Sequence, residues 1–294
     1  MATIDADVRT TRRRSQGWIR AVRVRQWSKN LLVLAAPAAG GVLGTGHVLV
    51  STIGAFLVFC LLSSGVYLIN DARDAEDDRR HPVKCRRPVA SGAISESAAF
   101  AAAIACLGAA LLLAATISLP LVAVGAGYIV LNVAYTLWLR LIAVADIGAI
   151  AGCFVLRAVA GGVAAPVGVS RWFVLVISFA ALFVAAGKRY ADVVDPAARR
   201  SRAVLAQYTP EFLRIVIGVA CAVALTAYAL WAFQMHTNEV HARELTLVPF
   251  TLALLRYALL VSEGGGGAPE AVLFRDRFLQ FCGTVWLLLF LIGA

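Results

Sequence analysis

Residues 70–92 read Asn-Asp-Ala-Arg-Asp-Ala-Glu-Asp-Asp-Arg-Arg-His-Pro-Val-Lys-Cys-Arg-Arg-Pro-Val-Ala-Ser-Gly and follow directly on a long apolar run. Five of the chain's 17 acidic residues fall between Asp71 and Asp78, and six of its 27 Lys and Arg residues between Arg73 and Arg87. Acids packed this densely at the mouth of a hydrophobic segment repel one another unless a cation sits among them. The adjoining bases then hold the anion that the cation carries. This is the layout of a metal–diphosphate site at a membrane surface.

The rest of the chain supplies the membrane. Of its 294 residues 61% are hydrophobic and only 15% charged, with a mean hydropathy of +0.80. Soluble domains run nearer half apolar and a quarter charged. The apolar stretches are nearly continuous, not striped with a helical period, and long enough to cross a bilayer at roughly 20 residues each. The expected fold is all-α and polytopic, a single transmembrane domain over 1–294. Nine spans are predicted, near 30–46, 48–70, 95–116, 120–140, 142–163, 171–189, 212–234, 246–262 and 278–294. Residues 1–26 form a basic N-terminal tail, and 71–94 and 190–211 the long polar loops.

Orientation follows from the cations. Twenty-three of the 27 lie in the N-terminal tail, the loops near 71–94, 188–214 and 263–277, and at Arg140. The positive-inside rule therefore places the N-terminus and the charged loops in the cytoplasm and the C-terminus outside; a plasma (inner) membrane is the expected location. The net charge of +10 is accounted for by loops and lipid headgroups, so nucleic acid is not an expected partner. The six cysteines form no CxxC pair and read as free thiols, with neither a disulfide framework nor a zinc site. The basic tail extends too far to be the head of a cleaved secretory signal.

If the second span continues as a helix beyond Tyr67, then Asn70, Asp74 and Asp78 stand one above another at i, i+4 and i+8, with Asp71 beside the stripe. Oxygen ligands on one face suit Mg²⁺, which keeps several waters and takes one or two carboxylates plus substrate phosphates. A solvated helix end salt-bridged to Arg73, Arg79 and Arg80 is the plainer alternative. A second polar cluster, Gly187-Lys188-Arg189-Tyr190-Ala191-Asp192, closes the sixth span as Asn70-Asp71 closes the second. Each follows the second member of a four-span set, so two related halves would bring both to one cytoplasmic cavity. Gly264 to Gly267 follow a span and read as a flexible turn, and His236 and His241 as solvated loop residues.

The run His81-Pro82-x-Lys84-x-x-Arg87-Pro88-x-x-Ser91-Gly92, with Asn70-Asp71 before it, closely resembles the first aspartate-rich motif and following loop of the UbiA family of intramembrane prenyltransferases. That family has nine transmembrane helices around a central cavity. Where it usually carries a second aspartate-rich motif, this chain has Lys188-Arg189-Tyr190-Ala191-Asp192. The departure resembles one branch, the decaprenyl-phosphate phosphoribosyltransferases, as do Arg25 to Asn30, Leu156 to Gly162, Leu255-Arg256-Tyr257 and the stretch from Pro269 to Arg277.

The resemblance implies transfer of 5-phosphoribose from phosphoribosyl pyrophosphate to a polyprenyl (decaprenyl) phosphate, with Mg²⁺ as cofactor. Asp74, Asp71 and Asp78 are the expected catalytic residues, and with Asn70 the expected metal ligands. Lys29, Tyr67, Lys84 and Arg87 are expected to bind the donor, and Lys188, Arg189 and Tyr190 the lipid phosphate. The nucleophile is already an anionic oxygen, so no strong general base is required. The resemblance further implies a role in supplying a lipid-linked arabinose precursor for the cell envelope, and a homo-oligomer such as a trimer. Two other classes are weighed. A prenyltransferase moving a prenyl group from its diphosphate to an aromatic acceptor would expect acids where Lys188 and Arg189 stand. A transporter would expect ionisable residues through the spans, whereas acids inside them are nearly limited to Asp146. Arg157 and Arg256 lie within spans, with no role fixed by the sequence.

Overall fold

The computed structural model describes residues 17–201, 203–234 and 242–292, and every regular element among them is helical. Arg9, Arg12, Arg13, Arg14, Arg202, His236 and His241 lie outside the described residues. The chain divides into two compact units, one from Met1–Asn132 with Leu156–Val167 and one from Val133–Val155 with Gly168–Ala294.

The first unit is organised by α1 (Gly46–Arg73), whose 28 residues extend for about 42 Å at helical rise. A short helix, α2 (Ala75–Arg80), follows after a break at Asp74. Helix α3 (Glu96–Ile117) starts at Ser95, whose hydroxyl accepts from the Ala98 amide at 3.2 Å and so caps the first turn. The face of α3 that is buried is lined by Ala99, Ala103, Ala110 and Ala114. A Cβ at Gly65 of α1 would stand 2.8 Å from Leu107, so glycine permits the close approach of the two helices. The same unit holds the first part of α4 (Leu119–Leu137) and the last part of α5 (Ala145–Ala164).

In the second unit α6 (Arg171–Val194), capped by Ser170, packs on α7 (Pro210–Gln234). Its core gathers Phe183, Tyr190, Leu205, Tyr208, Leu213 and Tyr257. The last span comprises Ala242–Leu245 and α8 (Leu247–Ser262). Helices α9 (Pro269–Arg275) and α10 (Arg277–Ile292) follow. The glycine run before α9 is a packed turn: a Cβ on Gly266 would lie 2.7 Å from the Gly187 carbonyl of α6. Close backbone approach is therefore one use of these glycines, which the expected flexible turn did not include.

Seven helices among the described residues are long and apolar enough to cross a membrane, against the nine spans expected. The ninth is the 16-residue α10, short of that length. The first is not a regular α-helix: Val24–Leu34 is 3-10 helix, and only Ala35–Ala39, with Pro37 in its first turn, follows as α-helix. Runs of 3-10 helix beyond three or four residues are uncommon, because their hydrogen bonds are poorly aligned. Here side chains supply what the backbone lacks. Trp27 Nε1 donates to Ser64 Oγ at 3.2 Å, and Asn30 Nδ2 to Ser63 Oγ at 3.3 Å. All six cysteines are free thiols.

Candidate active site

The aspartate-rich stretch is a helix end bent once. Asp74 (φ −91°, ψ 8°) closes α1 and opens α2, yet the Asp74 amide still bonds Asn70 O at 3.0 Å and the Asp78 amide bonds Asp74 O at 2.8 Å. The i, i+4, i+8 stripe is thereby kept across the break. Pro82 then ends the helix, with His81 in the extended conformation that a following proline favours.

The four expected metal ligands divide in two. Asp71 and Asp78, seven residues apart, are 2% and 3% exposed and are joined by one guanidinium. Arg87 Nη1 lies 2.6 Å from Asp78 Oδ2 and 3.2 Å from Asp71 Oδ1. Lys84 Nζ stands 4.0 Å from Asp78 Oδ1. Asn70 and Asp74, one turn apart, are only half-buried. Arg79 and Arg80 pair instead with Glu96 and Glu76, each at 2.7 Å on the exposed side, so the plain salt-bridged helix end describes the outer face and not the inner one.

The loop that delivers Arg87 is built to aim inward. His81 Nδ1 accepts the amides of Val83 (3.2 Å) and Lys84 (3.3 Å), and the Gly92 amide turns back to Val89 O at φ +77°. Val89 and Ile94 are buried with Leu68, Ala72 and Ala75 of α1 and α2, anchoring the loop to the helix it serves. The sequence did not single out Arg23. Its Nη2 lies 2.6 Å from Asp71 Oδ1 and its guanidinium 4.4 Å over the ring of Tyr67, so it shares that carboxylate oxygen with Arg87. In a basic tail such a residue looks like any other positive-inside arginine. Lys29 is half-buried in the 3-10 segment.

Among the described residues no three His, Cys, Asp or Glu side chains converge closely enough to hold a metal by themselves. Mg²⁺ does not demand that, since waters and substrate phosphates complete its shell. Asn70 and Asp74 fit such a partial set, as neighbouring oxygen-bearing side chains at a half-buried helix end.

The second cluster belongs to the other unit. Lys188 is exposed, but Arg189 is 3% exposed and turned inward: its Nη2 lies 2.6 Å from Asp146 Oδ2 and its Nη1 3.1 Å from Asp192 Oδ2. Asp146, itself wholly buried, also accepts the Tyr208 hydroxyl and the Ile147 amide. Tyr208 in turn accepts the Val144 amide at 2.6 Å. Burial, and then the hydrogen bond to the Asp146 carboxylate, push the Tyr208 phenol well above its ordinary value. Tyr190 is buried, and its hydroxyl accepts from Arg214 Nη2 at 2.9 Å. Asp146, Tyr208 and Arg214 were missed. A lone acid inside an apolar span was the available signal, because such a group requires a buried partner.

The site now has a family. Residues 31–281 match the model of the UbiA prenyltransferase family. The chain belongs to the UbiA prenyltransferase family. Within it, the chain is 41% identical over 288 residues to the decaprenyl-phosphate phosphoribosyltransferase of Mycolicibacterium smegmatis, covering 92% of this chain and 90% of that one. It is 40% identical over 281 residues to the protein of the same name from Corynebacterium glutamicum, covering 92% and 85%. Among solved structures, a UbiA homologue from Archaeoglobus fulgidus bound to GPP and Mg²⁺ superposes with a TM-score of 0.73 at 19% identity, over 94% of this chain and 98% of that one. That likeness establishes the UbiA fold for this chain.

Proposed function

We propose that this UbiA-family chain transfers 5-phosphoribose from phosphoribosyl pyrophosphate to a polyprenyl phosphate, decaprenyl phosphate being the acceptor suggested by its relatives. The observation that carries the reading is identity of 40–41% across 92% of the chain to proteins named for that activity. The geometry of α6 supports it. Where a second carboxylate site for a prenyl diphosphate would need free acids, Arg189 engages both Asp146 and Asp192, and the exposed group is the Lys188 cation.

In this reading an anionic oxygen of the lipid phosphate attacks the anomeric carbon of the donor. The bond from that carbon to pyrophosphate breaks, and its electron pair leaves with pyrophosphate. No proton need be removed from the nucleophile. Asn70 and Asp74 would hold Mg²⁺, which supplies positive charge to the departing diphosphate when bound. Asp71 and Asp78 keep Arg87, Lys84 and Arg23 in place, and these cations with Lys29 and the Tyr67 hydroxyl hold the donor phosphates. Arginine suits that task because its fork donates two charge-assisted bonds at once. Lys188 meets the lipid phosphate, while Arg189 and Tyr190, sequestered behind it, fix the end of α6.

The proposal keeps nine crossings around a central cavity open to the cytoplasm, with the N-terminus and both clusters cytoplasmic and the C-terminus outside, in a plasma membrane. It also keeps a homo-oligomer such as a trimer, and a place in making a lipid-linked arabinose precursor of the cell envelope. The test is direct. Purified protein in lipid vesicles is given phosphoribosyl pyrophosphate labelled in the ribose, decaprenyl phosphate and Mg²⁺. Label should enter the lipid phase and cease to do so with a chelator; label that stays in the aqueous phase throughout sinks the reading.

A further inference from the structure

The segment before α1 is held at both ends by side chains, and its inner end depends on a residue that the mechanism above does not use. Arg157 of α5 is 5% exposed. Its Nε donates to Asn30 Oδ1 at 2.8 Å and its Nη2 to Tyr128 Oη at 2.8 Å, with the guanidinium 4.9 Å from the Tyr128 ring centre. Asn30 is wholly buried and passes the connection on through Nδ2 to Ser63 Oγ (3.3 Å) and Cys60 Sγ (3.4 Å) of α1. One turn beyond Arg157, a Cβ on Gly161 would stand 1.8 Å from the Val33 carbonyl, so α5 and the segment touch backbone to backbone there.

At the outer end Arg23 sits in the left-handed region at φ 53°, a conformation that a non-glycine residue keeps only where its surroundings hold it. What holds it is Asp71 and the ring of Tyr67. Arg23 immediately precedes, and Asn30 lies within, an eleven-residue 3-10 helix (Val24–Leu34), a geometry that does not sustain itself over that length. Lys29 is the immediate neighbour of Asn30, so the backbone that carries Lys29 is placed by the bond from Arg157.

We propose that Arg157 is a positioning residue for the donor site. By fixing Asn30 against α1 it sets the register of the segment that carries Arg23 and Lys29. The inference rests on the reading that these cations bind the donor phosphates. It explains why an arginine stands at this depth: one fork serves Asn30 and Tyr128 together, which the point charge of a lysine does not do.

The experiment uses the full chain in lipid nanodiscs and compares the parent with Arg157→Lys, which keeps the charge, and with Tyr128→Phe. Backbone amide exchange across 24–34 should quicken in Arg157→Lys, while exchange in 96–117 stays as in the parent. Affinity for magnesium pyrophosphate, and with it the donor KM, should weaken by about tenfold, the scale of lost support to a binding residue. The KM for polyprenyl phosphate should stay within about twofold, since an interaction confined to one substrate does not spread to the other. Tyr128→Phe should move the same quantities in the same direction by less. Unchanged exchange across 24–34, or an equal rise in both KM values, overturns the proposal. If Arg157→Lys fails to fold, Asn30→Ser takes its place, with the same expected pattern and the same overturning results. A parent that never labels lipid defeats the proposed transfer, whereas the exchange and pyrophosphate measurements still decide the role of Arg157.

Discussion

Arg87 and Asp78 form a 2.6 Å ion pair in which the carboxylate is nearly buried and the guanidinium about one-third exposed. The same Nη1 reaches Asp71 at 3.2 Å, so one cation serves two buried anions. Arg87→Lys should therefore fail despite keeping the charge. The loss is about 2 kcal/mol for charged hydrogen bonds left unmade at a partly exposed site. Donor KM should rise and the melting temperature should fall together. A variant with parental stability and parental donor KM would show that the guanidinium is not required.

Asp74 and Asp71 should separate cleanly. Asp74 is half-buried at the junction of α1 and α2, and Asp74→Ala should lower turnover by about a hundredfold or more, the scale of losing a group that acts in the transition state, with a smaller fall in melting temperature than Asp71→Ala. Asp71→Ala removes the anion that neutralises both Arg23 and Arg87, so it should lower stability as well as turnover. Melting curves and vesicle assays on the two variants make the comparison. Equal destabilisation by both would mean that Asp74 is structural.

The aspartate stripe was legible because helical spacing survives the bend at Asp74, and the seven longer spans because each is an apolar run of bilayer length. The first segment was not legible, since its conformation is set by Trp27, Asn30 and Arg157 meeting residues distant in the chain. Arg189 illustrates the same limit. Read locally it is a cytoplasmic base beside Lys188, and only the fold brings Asp146 to it. Charge and spacing report which residues are available for a phosphate; tertiary pairing decides which of them are already occupied.

The Asp146–Arg189 pair allows a test of that occupation. Asp146→Leu or Arg189→Met alone leaves a buried charge without its partner and should cost about 3–5 kcal/mol. Replacing both, as Asp146→Leu with Arg189→Met, removes the uncompensated charge and should recover much of that loss. Denaturation of the three variants in mild detergent gives the coupling. Losses that simply add would show that the two groups act independently.

The raised Tyr208 phenol gives a pH dependence of definite sign. The folded state favours the protonated form, so its contribution is fully present below the unfolded value of 10.0 and is lost as pH climbs above it towards the folded value. Asp276 behaves oppositely. The hydrogen bond from Arg256 Nη2 at 2.7 Å holds its carboxyl below the ordinary carboxylate range, so its contribution is present above 3.8 and is lost as pH falls below it. Melting temperature should thus decline at both extremes, and Tyr208→Phe should flatten the alkaline limb alone. A parental alkaline limb in Tyr208→Phe would exclude Tyr208 as its source.

Lys188 is the exposed member of its cluster, and its removal should be felt by one substrate only. Arg189 and Tyr190 are buried and held by Asp146, Asp192 and Arg214, so they maintain the helix end whether or not a ligand is present. Lys188→Ala leaves those bonds untouched and should cost less stability than a change at the buried Arg189. It should raise the KM for polyprenyl phosphate by about tenfold, the equivalent of one charge-assisted hydrogen bond of about 1.5 kcal/mol, while the donor KM stays at the parental value. Arg189→Lys should instead lower stability first, because the shorter cation cannot satisfy Asp146 and Asp192 together. The two variants, assayed with each substrate varied in turn, separate contact with the lipid phosphate from support behind it. A selective rise in donor KM for Lys188→Ala would exchange the assignments of the two phosphate sites.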